Sequence, residues 1–231
     1  MDDIIWIASY PRSGNTFIRL LLRQCLGLRT GSFYADDFGG RKPLEQAVGH
    51  VEHIEPGRLR FEAGEPRLVK THAACTDDRK TIYIVRDGRA ATVSLWRFLG
   101  GTCSLRDTVE GKSEFGLWRG HLDSWNPLAR TGTLCLKYED VVADPLPAVE
   151  ALARFLDRPV ISRTVPSRES LLGLDDKWIT RGTDWREFMT VALEERFVEL
   201  NGPQLQAHGY LDVGDGSRFQ CRPSGRRATS G

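Results

Sequence analysis

No apolar stretch in this sequence reaches about 18 residues, so no helix is expected to span a membrane. The amino terminus, Met-Asp-Asp before a strand-like run, has no basic lead-in and no long apolar segment, so a secretory leader is not expected. The cytoplasm is the default expectation. The five cysteines, Cys25, Cys75, Cys103, Cys135 and Cys221, stand far apart with no Cys-x-x-Cys among them. That excludes the usual zinc spacing and argues against a disulfide framework. Neither sign of charge is in excess: 32 basic residues against 31 acidic ones leave a formal +1, and nothing global points to nucleic acid. Two nucleotide signatures are also missing. Without G-x-x-x-x-G-K-[ST] there is no ordinary ATPase or GTPase loop, nor the usual reason to expect magnesium. Without G-x-G-x-x-G, NAD is disfavoured.

What is present is an alternation of strands and helices. A chain of 231 residues, 40% hydrophobic and 27% charged, fits one large α/β domain or two small ones. Residues 4–8 are a short apolar run rich in β-branched side chains, as in a buried parallel strand. Residues 9–14 read as a loop, and 16–26 as a helix with Phe17, Leu20 and Leu21 on its apolar side. Strands are expected over 68–71, 80–86 and 133–137. Helices are expected over 88–98, part of 115–129, 147–156 and 187–207, the last broken at Gly202–Pro203. Residues 27–64 lose periodicity, and 100–110 and 163–183 are irregular; such stretches in a compact domain cover a site or are mobile. The order predicts a three-layer, P-loop-like α/β fold, a central and mostly parallel sheet flanked by helices. One domain over 1–213 is expected. The polar tail, 214–231, reads as disordered, with Arg218, Arg222, Arg226 and Arg227 facing no acidic residue beyond Asp215.

The stretch "SYPRSGNTFIRLLL" carries the first chemistry. A strand that enters a helix through a glycine-containing loop presents free backbone N–H groups, and with the helix dipole these stabilise phosphate oxygens. Arg12 adds a fixed fork of donors. Ser13, Asn15 and Thr16 add neutral donors, and Gly14 permits close backbone approach. The same residues also describe a helix start capped by Ser13 or Asn15 that binds nothing.

Four further stretches share this character. "LVKTHAA" puts Lys70 and His72 two residues apart on a strand, so both face one way. His72 has an ordinary pKa suited to general-base work near neutrality, while a lone histidine is also a common structural residue. "IYIVRDGRAATVSLWRF" again runs strand, loop, helix. Arg86 stands at the carboxyl end of the strand, where ligands bind in open α/β sheets, and Ser94 lies two turns into the helix. Arg89 and Arg97 either add to the positive field or form salt bridges. "LCLKYEDVVADP" offers Tyr138, as a core residue beside an acidic turn or as a ring near a ligand. "FGLWRGHLDSW" sets Trp118 and Trp125 on one helical face, at least one of them core, with His121 either an acceptor contact or a packed structural histidine. Trp6 reads as core.

In their order along the chain these stretches resemble the sulfotransferase family, which moves the sulfuryl group of 3′-phosphoadenosine-5′-phosphosulfate (PAPS) to an acceptor hydroxyl or amine. "YPRSGNTF", from Tyr10 through Arg12, Ser13, Gly14, Asn15, Thr16 and Phe17, is similar to the family's 5′-phosphosulfate loop, with Arg12 where lysine is usual. Lys70-Thr71-His72 resembles the catalytic segment, which implies His72 as general base and Lys70, with Arg12, as neutraliser of the leaving oxygen. Arg86 and Ser94 match the 3′-phosphate residues, and two anion cups imply a bisphosphorylated nucleotide. Tyr138 falls near the adenine. "ITRGTDWREF" resembles the Arg-Lys-Gly segment without its middle lysine, so Arg181 and Gly182 are implied to reach back to the 3′-phosphate. Arg186, Thr190, Val191 and Glu195 are similar to a short dimer segment, with arginine for lysine, and imply a homodimer.

The resemblance covers roughly 4–200 and implies in-line displacement, a small-molecule acceptor, adenosine 3′,5′-bisphosphate (PAP) as the second product, and no metal. Substrate choice lies in the loops and does not follow from fold. Two other readings stay open on the residues. A small-molecule kinase would want a Walker lysine and an acidic magnesium ligand, for which Asp87 and Asp140 are candidates. A non-catalytic protein would hold a phosphorylated or sulfated partner on the same basic loops.

Overall fold

A computed structural model of the chain describes residues 4–55, 57–166 and 184–211. Arg181, Gly182, Cys221 and the tail from 214 lie outside the described residues.

The apolar runs become the inner strands of a five-stranded parallel sheet. β1 (Ile4–Ser9) is flanked by β5 (Arg67–Thr71) on one side and by β6 (Thr81–Val85) on the other. β2 (Gly31–Ser32) pairs with β5 and β7 (Thr133–Lys137) with β6, which gives the order β2-β5-β1-β6-β7. β6 is buried along its whole length because helices cover both faces. Its side chains alternate: Ile82 and Ile84 join Ile7 and Leu136 in one core, while Tyr83 and Val85 join Ala8 in the other.

The first core is closed by α1 (Asn15–Leu26) and α7 (Pro145–Leu156), through Ile18, Leu21, Val149 and Leu152. The second is closed by α3 (Gly88–Phe98), α5 (Trp118–Trp125) and α8 (Val191–Ala207). Trp118 and Trp125 are both core residues there, as one helical face requires. These are the three layers expected.

Shorter elements fill what the sequence left irregular. Residues 27–64 contain α2 (Lys42–Ala47) and a hairpin of β3 (His53–Glu55) and β4 (Arg58–Leu59), each too brief to show a period. α4 (Leu105–Val109) rises from the polar stretch 100–110 because Ser104 caps it, its hydroxyl accepting from Asp107 N at 3.0 Å. The acidic Tyr-Glu-Asp is no turn; it opens α6 (Tyr138–Ala143).

The expected helix 187–207 starts later, after a 3-10 turn (Trp185–Glu187), where Thr190 caps α8. It also runs unbroken through Pro203. Asn201, fully buried, donates to Phe197 O and accepts from Arg119 N, both at 2.9 Å, and so ties α8 to α5 across the region where a break was expected. Among the described residues no helix is long and apolar enough to cross a membrane.

Because the strands are parallel, their carboxyl ends open on one edge of the sheet. Ser9 pairs with Ile84, Ala8 with Thr71, and Val85 with Lys137, so the loops after β1, β5, β6 and β7 meet there.

Candidate active site

The loop after β1 makes its turn with two left-handed residues, Arg12 at φ 65 and Gly14 at φ 98. Gly14 is the amino-terminal cap of α1 and no side chain caps the helix; Phe17 N donates to Gly14 O at 3.0 Å, and among the described residues no side chain takes the earlier N–H groups of the first turn. Ser13 is buried at 1% exposure and its hydroxyl oxygen has no partner among the described residues. Asn15 behaves otherwise than expected. Its side-chain amide turns back to β1, donating to Ile7 O at 2.9 Å, and holds the helix start to the strand instead of offering a donor to an anion.

Arg86, at the end of β6, donates to the Arg12 carbonyl at 2.7 Å and lies 4.6 Å over the Tyr138 ring. Arg12 in turn donates through Nε to Ser94 Oγ at 3.2 Å. The two anion cups read from the sequence therefore share a wall. Tyr138 also closes on the loop: a β-carbon at Gly14 would stand 2.3 Å from its Cδ2. A cleft of about 480 Å³ runs along this edge. It is lined by Arg12, Gly14, Asn15, Thr16, Phe17, Lys70, His72, Arg86, Ser94 and Tyr138, so of the described candidates only buried Ser13 is not on its wall.

His72 is the first residue beyond β5. Its Nδ1 lies 2.8 Å from the Ser9 carbonyl oxygen, which can only accept, so Nδ1 carries the hydrogen and Nε2 the lone pair. Tyr34 stacks on the ring at 6.1 Å, and Phe115 stands edge-on to it at 6.4 Å. The Tyr34 hydroxyl oxygen also accepts from His72 N at 3.1 Å. Burial, then the charge of Lys70, pushes the His72 pKa well below the ordinary histidine value against the opposing hydrogen bond to Ser9, so the imidazole is neutral at pH 7.

The sulfotransferase domain family matches residues 2–172. This chain belongs to the sulfotransferase family. The match takes in the loop, Lys70, His72, Arg86, Ser94 and Tyr138. Sulfotransferase 4A1 of Mus musculus is 27% identical over 223 residues, 84% of this chain and 77% of that protein. Human sulfotransferase 2B1 is 28% identical over 248 residues, covering 89% and 67% of the two chains. Among solved structures, mouse sulfotransferase SULT7A1 complexed with PAP superposes with a TM-score of 0.66 at 17% identity, over 91% of this chain and 86% of that one. That likeness shows the fold. The activity of this sulfotransferase, at the level of its family, is PAPS-dependent sulfuryl transfer.

Other residues of the sulfotransferase cleft were not singled out from the sequence. Asp37, in the loop after β2, is 4% exposed and takes Arg19 on Oδ2 at 2.5 Å and the Lys70 ammonium on Oδ1. Burial alone would raise the Asp37 carboxyl, but the charges and hydrogen bonds of Arg19 and Lys70 outweigh it and hold the pKa at about 2. The sequence does contain a signal: Arg19 interrupts the apolar run "FIRLLL", and an arginine at 1% exposure demands a buried partner.

His121, left open above, is a packed residue. It is 5% exposed, with Nδ1 2.7 Å from Tyr83 Oη. It stands behind the His72 loop, beside Trp125, whose Nε1 donates to Ala73 O at 2.9 Å. Arg89 is likewise structural, paired with Asp87 and Glu194. Trp6 is partly buried in the second core and donates to Asp77.

Proposed function

We propose that this sulfotransferase moves the sulfuryl group of PAPS to a hydroxyl, less readily an amine, of a small or medium-sized acceptor, with His72 as general base. The observation that carries the reading is the fixed tautomer of His72: Nδ1–H is tied to Ser9 O, and Nε2 is left to take a proton in a cleft that also bears Lys70 and Arg12. PAPS supplies a sulfuryl group already joined to a phosphate leaving group.

The residues fit such a nucleotide. The buried, unpartnered Ser13 hydroxyl and the open first turn of α1 suit the 5′-phosphosulfate. Arg86 and Ser94 suit the 3′-phosphate, and Phe17, Tyr138 and Val142 offer apolar surface to a base. Lys70 and Arg12 offset negative charge on the departing oxygen. Tyr34 and Phe115 hold the imidazole plane while its Nε2 accepts the acceptor's proton. Retinol dehydratase, solved in complex with retinol and PAP, shares the fold at a TM-score of 0.61 and 18% identity, and its ligand supports a PAP site here. Arg181 and Gly182 are proposed to complete the 3′-phosphate contacts. Arg186, Thr190, Val191 and Glu195 are all exposed, as a homodimer segment would be, and we assign them that role.

Calorimetric titration with PAP and with ADP tests the nucleotide. PAP should bind at least about tenfold more tightly, and Arg86→Ala should narrow that gap; equal binding of the two nucleotides would refute the assignment. His72→Ala should lower PAPS-dependent turnover about 100-fold or more while PAP affinity stays within about threefold. Full turnover in that variant would remove His72 as base.

A further inference from the structure

Three ionisable side chains converge beneath the cleft, and the mechanism above uses one of them. Lys70 sits on β5, an inner strand between β2 and β1, and is only 7% exposed. Its ammonium donates to Asp37 Oδ1 and lies 5.0 Å over the Tyr34 ring. The other carboxylate oxygen of Asp37 takes Arg19 Nη1. Arg19 is fixed on every side: Nε donates to Thr30 Oγ1 at 2.8 Å, Nη2 to His50 Nδ1 at 3.2 Å, and the guanidinium lies 4.8 Å over Phe38. Apolar side chains of similar volume would fill this space without the desolvation that three buried charges suffer. The arrangement therefore asks for a reason beyond stability, and its position gives one. Lys70 is two residues from His72, and Lys70, His72 and Asp37 all line the cleft.

We propose that Asp37 is the positioning residue of this site, fixing where the Lys70 ammonium stands and keeping it charged, with Arg19 as the buried anchor that keeps Asp37 ionised. The proposal rests on the role given to Lys70 above. Among the described residues, the charged and titratable groups that face Lys70 are Asp37 from the loop after β2, Arg19 from α1, Arg12 from the loop after β1, and the neighbouring His72 and Tyr34. Arg19 and Arg12 repel the ammonium, and burial disfavours its charge; the Asp37 carboxylate opposes all three. Asp37 serves His72 as well, since its negative charge offsets that of Lys70 at the imidazole. Arg19 alone would be a structural arginine. Joined to Asp37 it makes a carboxylate that stays ionised at any working pH.

The test reads Lys70 directly. Carbon-13 labelling of the lysine side chains, with the Lys70 signal assigned by its loss in Lys70→Met, gives the ammonium pKa in the folded protein. In Asp37→Asn that pKa should fall by about one unit or more. PAP affinity in Asp37→Asn should then fall more steeply between about pH 7.5 and about pH 9 than it does in the wild type. An unshifted Lys70 in a folded Asp37→Asn overturns the proposal.

If that variant does not fold, the wild-type protein carries the test. Lys70 should show a slowly exchanging ammonium with a nitrogen–carbon coupling to the Asp37 carboxyl, before and after PAP is added. An ammonium exchanging freely with water overturns the proposal. Lys70→Met separates the two readings: PAP affinity and turnover unchanged in it would refute the mechanistic role of Lys70, whereas the Lys70 titration judges Asp37 alone.

Discussion

Gly14 is glycine for two separable reasons. Its φ of 98 is a conformation that a β-carbon resists, and that carbon would lie 2.3 Å from Tyr138 Cδ2. The sequence allowed for close approach of a phosphate to the backbone; the structure adds an aromatic ring from α6, 124 positions further along. Gly14→Ala should therefore destabilise the fold by about 2 kcal/mol and weaken PAP binding more than tenfold, roughly, read by thermal unfolding and by calorimetry. Wild-type values in both would mean that the ring and the loop yield easily. Arg12 carries related strain as a left-handed non-glycine residue, and its carbonyl, fixed by Arg86, shows what holds it there. At this scale the sequence named Lys70 and His72 but not what holds them. Ser9, Tyr34 and Asp37 act on them through tertiary contacts that no local spacing announces.

The start of α8 joins an observed helix cap to the segment proposed for the dimer. The Thr190 hydroxyl accepts from Leu193 N at 3.3 Å and caps the helix, while Val191 beside it is 69% exposed. Thr190→Ala should cost about 1 kcal/mol of stability and weaken the proposed dimer without dissociating it. Val191→Glu should turn a dimer into a monomer in analytical ultracentrifugation with little change in melting temperature. A monomeric wild type would remove the dimer assignment; an unchanged melting point in Thr190→Ala would remove the cap. Longer elements were legible because periodicity needs length. The strand 133–137 and the helix 88–98 stand where the pattern put them. β2 and α2 did not show, since two and six residues give too few repeats of either period. Pro203 misled because the buried Asn201 tie and the packing of Leu205 keep α8 continuous where local propensity predicts a break.

Across the whole molecule, histidines with lowered pKa values contribute to the acid limit. Burial brings His121 to about 4, and His50, His72 and His208 are also lowered, chiefly by burial. Between the ordinary histidine pKa and these folded values the unfolded chain binds more protons than the native one, so stability rises with pH and is lost on acidification. His121 alone should contribute a loss of about 2 kcal/mol by about pH 5. Melting curves from about pH 7 to about pH 5 check this, and His121→Leu, less stable at neutrality, should show a shallower slope. An equal slope in that variant would place the acid sensitivity elsewhere.

The sequence by itself determined the local chemistry: a glycine loop entering a helix, a lysine and a histidine two residues apart at the end of a strand, an arginine at the end of another, and the alternation that makes a parallel sheet. Those are properties of neighbouring residues, and period and turn chemistry report them. Only the tertiary structure decided that the loops after β1 and β6 share a wall, that Asn15 faces its own strand, that His121 is packed away, and that Asp37 holds Lys70. The reason is the strand order. β1 lies between β5 and β6, and that placement brings together residues that are scores of positions apart in the chain.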